Sequence, residues 1–376
     1  MPRRGPAFTL AMLLLVSCGG GSVTVPPITQ SPPATPAASS PSVSAVPSPT
    51  GLTMTRARSG HTASVLADGR VLLVGGESAT ATAELYDPAS ASFLATGSLS
   101  GPRFFHTATV LADGRVLIAG GASGDGALSS AELYDPSTGT FSPTGAMHAA
   151  RGLPTATLLP NGHVLIAGGG CGCGQGVLAT AEVFDPAAGT FKLTGSMAAA
   201  RERATSTLLP NGKVLIAGGQ KPGGVLASAE IYDPGTGIFH PTGPMTTARY
   251  SHTATLLGNG KVLVAGGQGV SDILATTELY DPTTGTFTAS GRMSIARAHH
   301  TATLLPDGRV LVAGSSIGGG SATVELYDPA TGTFAADASM VSARSGQTAT
   351  LLASGRVLIA GGSDSSGPLQ SAELLR

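Results

Sequence analysis

The sequence predicts an all-β chain: seven sheets of four antiparallel strands, set radially as the blades of a β-propeller and closed by a strand from the N-terminal side. Three observations predict it. First, a glycine pair recurs as Gly75-Gly76, Gly120-Gly121, Gly168-Gly169, Gly218-Gly219, Gly266-Gly267 and Gly361-Gly362, with Gly314-Ser315 as the sixth copy in order. Second, the spacings are 45, 48, 50, 48, 48 and 47 residues. A period of about 50 with strands and turns inside each unit is the mark of stacked blades. Third, each unit carries two short apolar β-branched runs joined across a glycine turn.

Residues 245–291 stand for the rest. They open M-T-T-A-R, then H-T-A-T-L-L, G-N-G and K-V-L-V-A-G-G. The runs H-T-A-T-L-L and V-L-V-A suit buried strands. Asn259-Gly260 between them supplies the positive φ of a tight hairpin, and the same slot holds Asp68-Gly69, Asp113-Gly114, Asn161-Gly162, Asn211-Gly212, Asp307-Gly308 and Ser354-Gly355. After a variable stretch, E-L-Y makes the third strand and Asp-Pro starts a second turn. The fourth strand begins at Phe93, Phe141, Phe191, Phe239, Phe287 or Phe334. One blade cannot bury both faces, so neighbours must stack.

The pattern resembles the kelch repeat. The residues that carry the likeness are the double glycine, the Glu two places before Tyr, the Tyr, the later aromatic and the Met-x-x-x-Arg that follows. Phe stands where kelch repeats usually carry Trp, since the chain has no Trp. The resemblance implies strands that run outward from a central channel in chain order. It also implies that the face with the long loops is the binding face.

The seventh copy stops at Glu373-Leu374-Leu375-Arg376, without Asp-Pro or a fourth strand. Residues 46–54 read V-P-S-P-T-G-L-T-M, close to F-S-P-T-G-A-M at 141–147, so this segment is expected to close the ring. Closure removes an exposed strand edge, and the chain is expected to be a monomer.

Three stretches are expected: 1–18 as an export signal, 19–45 as a tether, and 46–376 as the propeller. Arg3 and Arg4 precede an apolar run at 7–16 that is too short to span a bilayer. Leu15-Val16-Ser17-Cys18 then has the form of a bacterial lipobox, with Cys18 as the lipidated residue; an ordinary signal peptide with a chance Cys is the other reading. The following Pro, Ser, Thr and Ala give an extended linker. The expected place is the outer membrane, facing the periplasm or the cell surface.

The net charge of −1 and the absence of a basic patch argue against nucleic acid. Of 22 acidic residues, 13 are repeat positions. Cys171 and Cys173, in a G-C-G-C-G run, admit a small disulfide, a free pair, or metal or redox chemistry.

The hairpins and Asp-Pro turns fall on one face and look like scaffold. The loop after the double glycine and the Met-x-x-x-Arg loop fall on the other. From the second glycine to the Glu is 8 residues in blade one and 13 in blade three. Variable loops on a rigid frame are where binding resides. Seven arginines, at 58, 103, 151, 201, 249, 297 and 344, are expected to ring the channel mouth. They either form a basic ring for an anion or pair with the repeated Glu, with two or three reachable by a ligand. Departures from the repeat are better clues. After the Arg come Phe104-Phe105-His106, Glu202-Arg203-Ala204, Tyr250-Ser251-His252 and Ala298-His299-His300. Of 16 aromatic residues, 12 are repeat positions and Phe8 is in the leader, which leaves Phe104, Phe105 and Tyr250. The candidate ligand-binding residues are therefore Arg103, Phe104, Phe105, Glu202, Arg203, Arg249, Tyr250 and His299; plugging of the channel mouth is the other reading of the aromatics.

His61, His106, His252 and His300 start the innermost strands, on different blades, and read as hydrogen-bonded wall residues rather than metal ligands. Some kelch-type propellers are copper oxidases whose metal site needs a Tyr cross-linked to a Cys plus ligands from another domain. Here five of six Tyr are repeat residues and both loop Cys share one C-x-C, so that chemistry is not expected, and neither a metal nor a cofactor is. The expected role is binding a protein or glycan at the cell envelope. The alternatives are a carbohydrate-active enzyme, for which the resemblance points to sialic-acid epimerases or isomerases and to Glu202, Arg203 and His299, or a structural surface protein without a discrete ligand.

Overall fold

The computed structural model describes residues 51–76, 81–170, 176–314 and 320–376. Cys18, Cys171, Cys173, the leader, the tether and residues 46–50 lie outside the described residues.

The described residues form seven four-stranded antiparallel sheets. Blade one runs Thr62–Val65, Val71–Val74, Thr82–Asp87, Ser92–Ser98, with each strand paired to the next in chain order. The second strands read V-L-L-V, V-L-I-A or V-L-V-A and are buried along their whole length. A strand buried on both faces is a continuous apolar run rather than an alternation. Seven apolar clusters form the core, each shared between two adjacent blades. The cluster between blades seven and one holds Leu52 and Met54 alongside Val71, Leu73, Leu358 and Leu374. Each repeat aromatic of the third strand packs on the Phe of the fourth, as Tyr280 does on Phe287 at 4.8 Å between ring centres.

The hairpin between the first two strands differs from the expected two-residue turn. In blade one the Gly69 amide donates to the Leu66 carbonyl and the Leu66 amide donates to the Arg70 carbonyl. Only the glycine has positive φ (84° at Gly69, 80° at Gly260), while the Asp or Asn before it does not. This is a type I turn followed by a left-handed glycine. The Asp or Asn serves instead as a side-chain acceptor: Asp68 takes the Arg70 amide at 3.0 Å.

The ring closes as expected. Blade seven is ordered Leu52–Thr53, Ser371–Leu375, Val357–Ala360, Thr348–Leu351, with Leu52 opposite Ala372 and Thr53 opposite Ser371. The outer strand of the last blade thus comes from the opposite end of the chain. Loops after the double glycine add short two-stranded ribbons in blades two, four and seven, such as Gln220–Lys221 with Gly224–Val225.

A chain that begins at Met54 lacks this outer strand and exposes the edge of Ser371–Leu375. It is expected to melt at a lower temperature than one beginning at Ala38, and to self-associate. Scanning calorimetry and size-exclusion chromatography check this; equal melting and a clean monomer would contradict the closing role.

Candidate functional site

The seven arginines are internal. Their exposures run from 0% to 2%. Each guanidinium pairs with the Glu of its own blade: Arg58 with Glu84 at 2.8 Å, Arg103 with Glu132 at 2.9 Å, Arg201 with Glu230 at 2.7 Å, Arg249 with Glu278 at 2.8 Å. Arg151, Arg297 and Arg344 do the same with Glu182, Glu325 and Glu373. The guanidinium also donates to the first glycine of the pair, as Arg249 does to Gly266 at 2.7 Å, and to a carbonyl at the start of the third strand. The Glu in turn accepts the amide of the residue after the Met, as Glu278 does from Thr246 at 2.7 Å. Burial lowers the pKa of Arg103, Arg201 and Arg249 below the usual guanidinium value, and the paired Glu opposes that shift. Removing one partner of such a buried pair costs about 3–5 kcal/mol. These side chains staple the long loop to its blade. The expectation that two or three of them reach a ligand is overturned, and Arg103 and Arg249 leave the candidate set, because their charges are spent inside the fold.

The backbone of the same arginine ties blade to blade. Its carbonyl accepts the amide of the second glycine of the preceding blade: Gly76 to Arg103 at 3.0 Å, Gly219 to Arg249 at 2.9 Å, Gly362 to Arg58 at 2.8 Å. A Cβ on the first glycine would lie 2.3 Å from that carbonyl at Gly75 and 2.5 Å at Gly218. The double glycine is therefore a demand of close backbone approach.

Two residues after each arginine the chain turns left-handed. Gly60, Phe105, Leu153, Arg203, Ser251, His299 and Gly346 all have φ between 51° and 64°. Their amides form a closed collar around the channel mouth. Phe105 donates to Gly60, Leu153 to Phe105, Arg203 to Leu153, Ser251 to Arg203, His299 to Ser251, Gly346 to His299, and Gly60 to Gly346, at 2.8–3.4 Å. Five of the seven are not glycine, and each left-handed non-glycine residue costs on the order of 1 kcal/mol.

Collar side chains line an axial cavity of about 310 Å³, among them Phe105, Leu153, Arg203, Ser251 and His299. No Asp or Glu lines it. Arg203 Nη1 lies 3.5 Å from His299 Nε2, and Arg203 Nε is covered without a hydrogen-bond partner. Burial, and then the Arg203 charge, push the His299 pKa down to about 4, so the ring is neutral near pH 7. The Phe105 ring reaches across to blade one, where a Cβ on Gly60 would meet it at 2.7 Å.

The candidates therefore fall into three groups. Arg103 and Arg249 are staples. Phe104, Glu202 and Tyr250 sit one step outward and pair through their backbones with Ala122, Gln220 and Gln268. Phe104 also meets Phe105 edge-on at 5.3 Å. Phe105, Arg203 and His299 meet at the cavity. Glu202 and Arg203, adjacent in sequence, diverge: Glu202 accepts from Gln220 Nε2 at 3.0 Å and is absent from the cavity wall. The trio suggested for sugar-acid turnover is not assembled. Sequence reasoning missed Leu153, Ser251 and the collar itself. The signal was there in Gly60 and Gly346, which hold the same slot in blades one and seven.

The wall histidines are hydrogen-bonded, as expected. His61, His106, His252 and His300 each reach a Thr hydroxyl of the preceding blade's innermost strand, at 2.9–3.1 Å. Burial first, and the nearby arginine second, push each down to about 3.

Two family models, each described as the kelch motif, match the chain, one at residues 205–246 and 249–294 and the other at residues 103–148. These spans, with the seven-bladed closure, decide the family. The chain is a kelch-repeat β-propeller. No curated protein sequence matches it. Among solved structures, a fungal alcohol oxidase of the AA5 family, in complex with copper, is similar in fold: TM-score 0.71 at 21% identity, over 85% of this chain and 74% of that one. Among the described residues no three His, Cys, Asp or Glu converge to hold a metal. The repeat tyrosines are buried between blades, stacked on phenylalanines.

The wall histidines make the propeller acid-sensitive. Unfolded, each takes a proton near pH 6.5; folded, each refuses it until about 3. Stability is therefore expected to fall as pH drops from 6.5 towards 3, by about 1.4 kcal/mol per pH unit for each histidine. Blade seven carries Gln347 in the same slot, where it donates to the Ala313 carbonyl at 2.8 Å. His252→Gln is expected to reduce the slope of stability against pH by about one proton, measured by urea unfolding across that range. An unchanged slope would contradict a buried neutral His252.

Proposed function

We propose that this propeller is a recognition module at the bacterial cell envelope, exported, lipidated at Cys18 and held on its Pro-rich stalk, and that it binds a protein partner through the face bearing the collar. One observation carries the reading. The residues that depart from the repeat, Phe105, Arg203 and His299, come from three different blades and line one axial cavity. The repeat arginines do not supply the charge there, because all seven are internally paired with the repeat Glu. The family supports a protein partner, since kelch propellers commonly mediate protein interactions. The lipobox at residues 15–18 and the uncharged linker after it support the envelope location.

The innermost strands begin at the collar and end in the glycine hairpins, so the two faces can be tested separately. A photo-crosslinking phenylalanine analogue in place of Tyr250 is expected to capture a discrete partner in native cells. The same residue in place of Asn211, exposed on the hairpin face, is expected to capture none. A product sensitive to glycosidase rather than protease would assign a glycan. Equal capture from both faces, or from Asn211 alone, would contradict the reading.

A further inference from the structure

We infer that the axial cavity takes a carboxylate carried on an apolar body, with Arg203 as its ion-pair partner. This rests on the collar face being the recognition face and names what it recognises there.

The first observation is the state of Arg203. Among the described residues it has no carboxylate partner, in contrast to the seven repeat arginines one step below it. Its Nε is covered and unbonded, and its other contact is the neutral ring of His299. A half-buried cation without an anion is an incomplete arrangement, and a guanidinium presents paired donors that match the two oxygens of a carboxylate.

The second observation is that the collar is two-sided. In ring order it reads Gly60, Phe105, Leu153, Arg203, Ser251, His299, Gly346. Phe105 and Leu153 give two adjacent apolar blades. Arg203, Ser251 and His299 give three adjacent polar ones. With no acidic residue on the wall and the imidazole uncharged near pH 7, the site offers one positive charge. That matches a monoanion better than a phosphate dianion. The apolar half then takes the group that bears the carboxylate.

The third observation is that the scaffold does not ask for these side chains. Blades one and seven form the same left-handed turn with glycine. Five blades carry a larger residue where glycine is the unstrained choice, and strain kept at a cavity is a mark of use.

A free organic acid and the C-terminus of a partner protein share this chemistry. The test uses the full chain, titrated by calorimetry near neutral pH with 3-phenylpropionate, with its amide, and with the peptides acetyl-Ala-Ala-Phe and acetyl-Ala-Ala-Phe-amide. At least one acid is expected to bind, with its amide about tenfold weaker or worse. Arg203→Gln is expected to weaken the acid by about tenfold or more and leave the amide unchanged. Arg203→Gly removes the strain as well as the charge, so it is expected to melt no lower than the wild type while losing the acid. Binding of phenylpropionate alone assigns a free acid; clearly tighter binding of the peptide acid assigns a C-terminus. No binding of either acid, equal binding of acid and amide, or an Arg203→Gln chain that binds as the wild type does would overturn the inference. Crosslinking from Tyr250 that persists beside such a failure would leave the recognition face standing and remove only the carboxylate.

Discussion

The buried arginine of each repeat holds this molecule together, and it does so with both ends. Its guanidinium binds the Glu, the first glycine and the third strand of its own blade, as Arg249 does with Glu278, Gly266 and Thr276. Its carbonyl accepts the second glycine of the preceding blade. One residue thus ties the long loop to its own sheet and one sheet to the next. The presence of the Arg, the first glycine and the Glu in every repeat, and of the second glycine in all but the sixth, follows from that single junction. It also takes charge off the surface: seven Arg–Glu pairs are buried in building the ring.

The collar is the consequence that matters for function. With the arginine fixed, the residue two places on must turn left-handed for its amide to reach the neighbouring blade. Seven such bonds close on themselves, so the mouth of the channel is a continuous hydrogen-bonded hoop rather than a set of independent loops. Its side chains are free of scaffold duty. Where the blade needs nothing more, glycine appears; elsewhere Phe105, Leu153, Arg203, Ser251 and His299 stand on a rigid rim at a cost in backbone strain. Rigid placement limits the entropy lost when a ligand binds.

The fold was legible because it is written seven times. Period, turn glycines and the missing last strand all point to a closed propeller, and Leu52–Thr53 does pair with Ser371–Leu375. The hairpin was legible in position but not in type, since Asn-Gly suggests two left-handed residues and only the glycine adopts that conformation. The site was half legible. Departures from the repeat led to Phe105, Arg203 and His299. They could not separate these from Phe104, Glu202 and Tyr250, because neighbours in sequence take opposite directions at a left-handed turn. Arg103 and Arg249 were misplaced for a related reason: sequence puts the arginine on the loop face without showing that its side chain turns back into the blade. Leu153 and Ser251 carry no unusual chemistry and were passed over.

The most direct test of this account is amide hydrogen exchange at the seven collar positions. If the collar is a closed hoop, the amides of Gly60, Phe105, Leu153, Arg203, Ser251, His299 and Gly346 should be protected as strongly as those of the buried second strands, and should exchange only with global opening. Exchange at the rate of exposed loops, with the second strands still protected, would contradict it.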